Sequence, residues 1–420
     1  MSFETISVIG LGYIGLPTAA MFASRKKKVI GVDVNQSAVD TINRGEIHIV
    51  EPELDIIVHA AVIEGYLKAT TTPESADAFL IAVPTPFKKD SGTIPEPDLR
   101  YIESAANAIA PVLKKGDLVI LESTSPVGAT EKMADWLALA RPDLSFPQQD
   151  HKTPDINIAH CPERVLPGHV VRELVENDRV IGGMTESCSD AAIELYKTFV
   201  AGECVKTNAR TAEMAKLTEN ACRDVQIAFA NELSVICDEL DINVWELISL
   251  ANRHPRINIL QPGPGVGGHC IAVDPWFIVS KTPETAKIIH TARTVNDAKP
   301  HWVIDKIKVA IAEFLQKNPN KKITDVKIAC FGLAFKPDID DLRESPAMEI
   351  VRQVSDFHAG EVMAVEPNIQ HALEGEKFNL VEFHEANEKA DIAVLLVDHK
   401  EFKNNKLTSV SHMIDTKGIW

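Results

Sequence analysis

Residues 5–17, TISVIGLGYIGLP, join a β-branched apolar run to a GxGxxG pattern over residues 10–15. The run predicts a buried strand, and residues 16–24 predict a helix. Glycines at such a turn let a dinucleotide pyrophosphate approach the helix N-terminus. A second strand pattern ends at Asp33, about 20 residues on, where a carboxylate accepts ribose hydroxyls and repels a 2′-phosphate. The stretch therefore predicts a Rossmann-type domain that binds NAD rather than NADP, the alternative being a glycine turn that only packs.

The alternation of strand and helix continues along the first part of the chain. Apolar runs at residues 78–86 and 117–128 end in hydroxyl residues, proline and glycine. Strands that alternate with helices predict a parallel, doubly wound sheet with ligands at the carboxyl ends of the strands. Thr85 and Thr124 stand at two such ends, where they either cap helices or contact the nicotinamide half of the cofactor.

The pattern changes from about residue 209. Apolar residues recur at helical spacing over residues 211–240, and a further helical stretch covers residues 283–317, in which Pro300 predicts a kink or a restart. After the polar segment 317–322 the α/β rhythm returns. The predicted fold class is α/β, with two Rossmann-like parallel-sheet domains joined by a central all-helical domain. The predicted boundaries are 1–208, 209–316 and 317–420.

Composition narrows the function classes. The 420 residues carry a net charge of −17, so nucleic acid and anionic membrane surfaces are not expected partners. Seven cysteines without CxxC spacing argue against a disulfide framework or a zinc site, and we expect no metal. No apolar run reaches the roughly 18 residues of a membrane span, and the N-terminus resembles no leader. We therefore expect a cytoplasmic protein that holds any anionic ligand through a local cluster of Arg and Lys.

Two polar motifs have alternative interpretations. In CPERVLPG, the adjacent Glu163 and Arg164 form either a surface ion pair or an acid–base group beside an anion clamp. Lys216, Asn220 and Arg223 are spaced i, i+4 and i+7, so they share one face of a predicted helix. With the acids beside them, that face is either a solvated stripe or a polar surface turned towards an anion.

Residues 263–275, GPGVGGHCIAVDP, place Cys270 in a loop too rich in glycine and proline for a regular helix or strand. A cysteine usually lies inert in a core. Glycines let a ligand approach closely, and a cation from the preceding NRHPR segment favours the thiolate. A nucleophilic cysteine beside a dinucleotide domain suggests oxidation of an aldehyde through an acyl-enzyme thioester.

Together these motifs resemble the UDP-glucose/UDP-N-acetylmannosamine 6-dehydrogenase family of NAD-dependent enzymes. The resemblance covers nearly the whole chain and rests on GLGYIGLP, VPTP, ESTSPVG, CPERVLPG, AKLTEN, VGGHCIAVDPWF and FGLAFKPDIDDLRESP. ERVLPG and GGHC are similar to the branch that acts on UDP-N-acetylhexosamines, whereas the glucose branch has a GGSC-like loop. The first domain is then expected to bind NAD, the second to dimerise and carry the catalytic loop, and the third to bind the UDP-sugar.

The resemblance also implies roles for matching positions. The implied catalytic residues are the nucleophile Cys270, the proton donor or oxyanion stabiliser Lys216, Glu163 and Asp274 for water and proton transfer, and Asn220, which holds the intermediate. The implied cofactor-binding residues are Gly10, Gly12, Tyr13, Ile14, Gly15, Asp33, Thr85, Thr124 and Arg343. The implied substrate-binding residues are Arg164, Val165, Lys216, Asn220, Arg223, His254, Arg256, Gly267, Phe335 and Lys336.

The implied activity is the four-electron oxidation of the C6 alcohol of UDP-N-acetyl-D-mannosamine to the uronate, with two NAD per turnover. Its product would serve bacterial surface polysaccharide of the enterobacterial common antigen type. The family also implies a homodimer through the central helices, in which the arginine before the glycine-rich loop can come from the partner subunit. The alternatives are the same chemistry on UDP-N-acetylglucosamine or UDP-glucose, a two-electron hydroxyacid-type dehydrogenase, and a non-enzymatic NAD-sensing protein.

Overall fold

The chain divides into two compact units. A computed structural model describes residues 3–90, 92–149, 153–166, 168–369, 373–405, 407–408 and 410–420. The first unit extends to Glu219 and the second begins at Asn220, so the division falls inside one long helix. Among the described residues, no helix combines the length and the apolar composition that crossing a bilayer requires.

The first unit contains one eight-stranded sheet. Its strands are β1 (Thr5–Ile9), β2 (Lys28–Val32), β3 (Leu67–Thr70), β4 (Ala78–Ile81), β5 (Leu118–Leu121), β6 (Asn157–His160), β7 (Arg179–Gly183) and β8 (Cys204–Asn208). Their order in the sheet is β3-β2-β1-β4-β5-β6-β7-β8. The pairs are parallel, as predicted, except that β6 and β7 are antiparallel. After β6 the chain re-enters the sheet from the edge that it has just left.

Helices cover both faces of this sheet. They are α1 (Gly15–Ser24), α2 (Gln36–Asn43), α3 (Leu54–Ile63), α4 (Arg100–Ile109), α5 (Ala129–Ala140), α6 (Val170–Glu176) and α7 (Glu186–Tyr196), with a 3-10 turn at Ala110–Val112. Alternate residues of each strand face opposite sides. Ile6 and Val8 pack in the core that contains α1, whereas Phe79 and Ile81 pack in the core that contains α4 and α5. The predicted doubly wound domain is confirmed.

The middle of the chain, residues 209–317, is described throughout and contains helices and loops and no strand, as predicted. Its helices are α8 (Ala209–Glu239), α9 (Val244–Ala251), α10 (Asp274–Lys281) and α11 (Lys287–Lys317). The predicted restart at Pro300 is wrong, because α11 runs through it. A proline inside a helix costs about 3 kcal/mol. Buried residues on either side of Pro300, including Asn296, Lys299 and Val303, hold α11 in place and offset that cost.

A buried polar network links two of these helices to the glycine-rich loop. Arg293 on α11 pairs with Asp224 on α8 at 2.7 Å, and Asn296 donates to the same carboxylate at 2.8 Å. Asn231 donates to the Asn296 amide oxygen and accepts the Gly263 N–H, both at 2.9 Å. The interpretation of the acids on α8 as a solvated stripe is therefore wrong for Asp224, which is fully buried.

The second unit ends in a five-stranded parallel sheet. Its strands are β9 (Ile328–Phe331), β10 (Val362–Val365), β11 (Asn379–Leu380), β12 (Ile392–Leu395) and β13 (His412–Asp415), in the order β11-β10-β9-β12-β13. Its helices are α12 (Pro346–Phe357), α13 (Phe383–Lys389) and α14 (Lys400–Lys403). The Ser345 hydroxyl accepts the Met348 N–H at 3.3 Å and caps α12. The second predicted Rossmann-like domain is confirmed.

The buried ion pair gives a stability prediction. Arg293→Met leaves Asp224 in the core without its guanidinium, and breaking a buried pair in this way costs about 3–5 kcal/mol. We expect a clearly lower denaturant midpoint, measured by circular dichroism in urea. Arg210→Met, which breaks the exposed pair with Glu131, is the control and should change the midpoint little. Equal midpoints for the two variants would contradict the role assigned to the buried pair.

Candidate active site

The first site element is the glycine-rich turn between β1 and α1. Gly10 has φ +90°, and a Cβ there would lie 2.8 Å from the Ala82 carbonyl oxygen. A Cβ on Gly15 would overlap the carbonyl oxygen of Gly10. Around Gly12, by contrast, there is no described atom within 4 Å of an added Cβ. The chain itself thus requires the first and third glycines, and the second leaves space above the N-terminus of α1 that fits a pyrophosphate.

Asp33 is held beside this turn. Its Oδ2 accepts the Leu11 N–H at 2.8 Å, and its Oδ1 accepts the Asn35 N–H at 2.9 Å. A carboxylate offers about four acceptor sites, so both oxygens retain capacity for ribose hydroxyls. Tyr13 is exposed on the turn, and Ile14 immediately precedes α1. The arrangement fits the predicted adenosine end of an NAD site.

Hydroxyl groups follow two neighbouring strands. The Thr85 Oγ1, beyond β4, is buried and has no hydrogen-bond partner in the described part of the chain. Thr124, beyond β5, is half-buried. Neither residue is the N-cap of a helix, since α4 and α5 are preceded by Leu99 and Gly128. A buried hydroxyl without a partner is costly, which favours ligand contact over capping for Thr85.

Glu163 lies just beyond β6 and is buried. Its Oε2 lies 2.8 Å from the Arg179 guanidinium, and its Oε1 accepts the Arg164 N–H at 2.7 Å. The Arg164 guanidinium instead pairs with Glu219 at 2.8 Å. The predicted surface ion pair between Glu163 and Arg164 side chains is therefore wrong. Arg179, which sequence reasoning missed, is the partner of the acid–base candidate.

Two further predicted residues of the first unit are half-buried. Val165 follows the Glu163–Arg164 pair, and Pro167 of the same motif lies outside the described residues. Lys216 projects from α8 and has no ion-pair or hydrogen-bond partner within the described ranges. An ammonium group that no protein carboxylate occupies can pair with an anionic ligand or a developing oxyanion.

In the second unit, three predicted catalytic residues lie close together. The Cys270 carbonyl accepts the N–H groups of Val273 and Asp274 at 3.0 and 2.8 Å, in a turn that leads directly into α10. Asp274, only 3% exposed, accepts a hydrogen bond from the Asn220 amide at 2.5 Å. The Cys270 side chain is exposed. A displayed thiol on a turn anchored by a buried carboxylate suits a nucleophile that must meet its substrate in one orientation.

The glycines before Cys270 are required by packing. A Cβ on Gly267 would overlap the Glu344 carbonyl oxygen and lie 2.9 Å from the Phe335 Cβ. Gly268 has φ +83°, and its Cβ would lie 3.1 Å from the Phe335 ring. The sequence suggested that these glycines admit a ligand. In the structure they let the loop pack against the FGLAFK and LRESP segments, and Lys336 beside them is exposed.

A cavity of about 390 Å³ opens beside the start of this loop. Its wall includes Arg223, Gln261, Gly265, Phe335, Asp398 and Lys417. The Lys417 ammonium lies 3.2 Å from the Asp398 carboxylate. Sequence reasoning missed Lys417, although its position just beyond β13, at the carboxyl edge of the second sheet, is a recognisable signal.

The remaining predicted residues are exposed. His254 and Arg256 lie on a loop closed by the Asn252 side chain, which donates to the Ile259 carbonyl at 2.9 Å and accepts its N–H at 2.7 Å. The His254 Nδ1 accepts the Arg256 N–H at 3.3 Å. Arg343, predicted to contact NAD, pairs with Asp341 at 2.6 Å.

Known sequences and structures are similar to this chain over its whole length. Models of the UDP-glucose/GDP-mannose dehydrogenase family match residues 4–200 (NAD binding domain), 210–298 (central domain) and 329–420 (UDP binding domain). The UDP-N-acetyl-D-mannosamine dehydrogenase of Yersinia pestis is 68% identical over all of both chains. The NDP-N-acetyl-D-galactosaminuronic acid dehydrogenase of Ralstonia nicotianae is 64% identical over all of this chain and 97% of its own. A UDP-D-ManNAc dehydrogenase structure from Pyrococcus horikoshii superposes with a TM-score of 0.86, at 39% identity, covering 99% of this chain and 96% of that one.

The glycine turn gives a binding prediction. Gly15→Ala must displace the Gly10 carbonyl and thereby distort the turn, so we expect NAD affinity at least about tenfold weaker, or about 1.4 kcal/mol, by titration calorimetry. Gly92→Ala is the control, because its added Cβ meets no described atom within 4 Å. Unchanged NAD affinity in a folded Gly15→Ala protein would refute the assignment of this turn as the pyrophosphate site.

Proposed function

Because the chain belongs to the UDP-glucose/GDP-mannose dehydrogenase family, we propose that it oxidises the C6 alcohol of UDP-N-acetyl-D-mannosamine to the uronate, with two NAD per turnover. The observation that carries the proposal is the displayed Cys270 on a turn anchored through Asp274 to Asn220. The 68% identical Yersinia relative supports this choice of sugar. The family's UDP binding domain supports a UDP-sugar as the substrate class.

The proposed mechanism uses one thiol for two oxidations. NAD, held by the Gly10–Gly15 turn and Asp33, supplies the hydride acceptor in each oxidation. Cys270 adds to the carbon of the first-stage aldehyde to give a thiohemiacetal, and loss of a hydride and a proton gives the thioester. Water then attacks the thioester carbon, Glu163 accepts a proton from it, and the carbon–sulfur bond breaks with its electron pair returning to sulfur. Lys216 supplies positive charge where oxyanions develop.

In an acidic protein, local cations favour the binding of a diphosphate. The net charge of the chain is −17, yet Arg223 and Lys417 stand in the wall of one cavity. We propose that this cavity receives part of the UDP moiety. Phe335, in the same wall, offers an aromatic surface for a planar base. The domain division proposed from the sequence places NAD at 1–208, the catalytic loop at 209–316 and the UDP-sugar at 317–420. In that division, Arg223 belongs to the second domain, and Phe335 and Lys417 belong to the third.

The rival substrates share the chemistry. UDP-N-acetylglucosamine and UDP-glucose remain alternative substrates. The 64% identical Ralstonia relative is named as an NDP-N-acetyl-D-galactosaminuronic acid dehydrogenase, so relatives of similar identity are named for different sugars. A two-electron dehydrogenase or an NAD-sensing protein would leave the Cys270–Asp274 turn without a purpose. We place the reaction in the cytoplasm, whose reducing conditions keep a nucleophilic thiol available, and its product in bacterial surface polysaccharide such as enterobacterial common antigen.

The product ratio tests the mechanism. Purified protein with NAD and UDP-N-acetylmannosamine should release two NADH per sugar oxidised, whereas the rival UDP-sugars should be used more slowly. Cys270→Ser should retain UDP-sugar binding and lose uronate synthesis, because serine forms no thioester. Cys222→Ser, the other exposed cysteine, is the control and should remain active. One NADH per sugar, or unimpaired Cys270→Ser, would refute the four-electron mechanism.

We also propose a homodimer through the central helices. Phe229 and Ile236 are large apolar residues seven positions apart on one stripe of α8, and Leu240 directly follows that helix; their exposed fractions are 53%, 41% and 63%. Leu250, on α9, is also exposed. Monomeric proteins rarely expose large contiguous apolar patches, so the stripe supports burial against a second copy.

The dimer proposal predicts a change of mass on substitution. The wild-type protein should scatter light as twice its 46.1 kDa chain, and a Phe229→Glu/Ile236→Glu variant as the single chain, because buried charges oppose association. Leu139→Glu, on the exposed surface of α5, is the control and should keep the wild-type mass. A monomeric wild-type protein at micromolar concentration would overturn the proposal.

A further inference from the structure

Five ionisable side chains form one buried cluster in the first unit: Glu122, Cys161, Glu163, Arg179 and Tyr196. The Arg179 guanidinium lies 2.8 Å from the Glu163 carboxylate. It also lies 3.8 Å from the Glu122 carboxylate and 3.8 Å from the Cys161 sulfur. The Tyr196 hydroxyl donates to Glu122 at 2.6 Å. Of these five residues, the proposed mechanism uses only Glu163.

The antiparallel strand explains how an arginine reaches this place. β6 and β7 pair His160 with Gly182, so the direction of β7 carries its first residue, Arg179, past the end of β6. A parallel β7 would deliver its last residue to that edge instead. The antiparallel direction of β7 therefore brings the Arg179 guanidinium next to the carboxylate of Glu163, which lies just beyond β6.

Arg179 is held in one position. Its side chain is only 4% exposed. The guanidinium carbon lies 4.7 Å from the centre of the Tyr196 ring and 5.6 Å from that of Phe199. Cation–π contacts on the flat faces of the guanidinium leave its N–H groups directed at the carboxylates. The cation is thus packed before any ligand binds.

The cluster contains one cation and two carboxyl groups. Burial raises the pKa of the Cys161 thiol to about 12 and holds the pKa of the Tyr196 phenol well above its usual range, so both are neutral. Burial also raises the pKa of Glu122 to about 7, although Arg179 opposes this rise. Below that pH, Glu122 is protonated, and the counterion of the Arg179 guanidinium is Glu163. The enclosed charges then balance as one ion pair.

We propose that Arg179 is a positioning residue that holds the Glu163 carboxylate in one orientation, beside a fixed cation, for the hydrolytic step. The inference rests on the proposed function, in which Glu163 accepts a proton from the water that attacks the thioester on Cys270. Nothing but water is consumed in that step, and the electron pair of the carbon–sulfur bond returns to sulfur. Glu122 and the ring of Tyr196 also contact the Arg179 guanidinium, at 3.8 and 4.7 Å.

Removing the guanidinium should affect hydrolysis and spare the oxidations. In Arg179→Met, a buried carboxyl without its cation binds a proton more tightly. The Glu163 carboxyl is then a poorer acceptor for the proton of the attacking water. We expect thioester hydrolysis about 10²–10³-fold slower at pH 7, within the range typical of lost general-base catalysis. Arg179→Lys retains the charge and should recover part of the rate.

The experiment uses rapid mixing of the full-length enzyme with NAD and UDP-N-acetylmannosamine between pH 5.5 and 9. Arg179→Met should release about two NADH per active site in a burst, then turn over slowly, with an acyl adduct on Cys270 visible by intact-protein mass spectrometry. In this variant, the fall in the rate of thioester hydrolysis at acidic pH should begin at a higher pH than in wild type. Arg172→Met, which breaks an exposed pair with Glu176 on α6, is the control and should match wild type.

Failure of this inference can be distinguished from failure of the proposed function. A wild-type enzyme that releases no NADH with any UDP-sugar refutes the function. Slow hydrolysis in Glu163→Gln, together with an unshifted pH profile in Arg179→Met, refutes only the role of Arg179. If Arg179→Met does not fold, Arg179→Lys and Glu122→Gln replace it. Glu122→Gln should remove an inflection near pH 7, and wild-type profiles in both variants would overturn the inference.

Discussion

Close approach of backbone to backbone at two glycine-rich turns is the constraint on which both parts of the candidate site depend. In the first unit, α1 begins so close to the end of β1 that Gly15 has no room for a Cβ beside the Gly10 carbonyl. In the second, a Cβ on Gly267 would also overlap a carbonyl oxygen, that of Glu344. Each contact fixes where the following element starts. The first contact thereby positions the N-terminus of α1, and the second positions the turn that carries Cys270 just before α10.

Each unit also encloses a buried ion pair. Replacing either partner by an uncharged side chain would leave the other partner as an unpaired buried charge. Arg179 with Glu163 and Arg293 with Asp224 are both almost completely buried. Buried pairs are weak contributors to stability relative to an apolar core, but removing one partner is costly. A buried charge therefore fixes the orientation of its partner more firmly than an exposed one. In the first unit that partner is an acid–base candidate, and in the second it belongs to a network that reaches Gly263.

The sequence was sufficient for those features that a local pattern encodes. The glycine spacing and Asp33 predicted the first sheet and its cofactor, and helical periodicity predicted α8 and α11. It was insufficient where partners come from distant parts of the chain. Neither the reversal of β7 nor the contact of Arg179 with Glu163 has a local signature, because both depend on how the chain re-enters the sheet. The restart predicted as one alternative at Pro300 is wrong for the same reason, since packing of α11 offsets the helix-breaking preference of proline.

Some cations among the predicted site residues have a carboxylate partner and others have none. This difference affects how strongly an anionic ligand must bind to displace the existing partner. Arg164, Arg343 and Lys417 each have a carboxylate partner, whereas Lys216 has none among the described residues. Exposed ion pairs of this kind contribute little stability, so a doubly charged phosphate group can displace a single carboxylate. A weakly charged anion cannot compete as well. Under the proposed function, the carboxylate partners orient Arg164, Arg343 and Lys417 until a ligand displaces them, and Lys216 is left for charge that develops during the reaction.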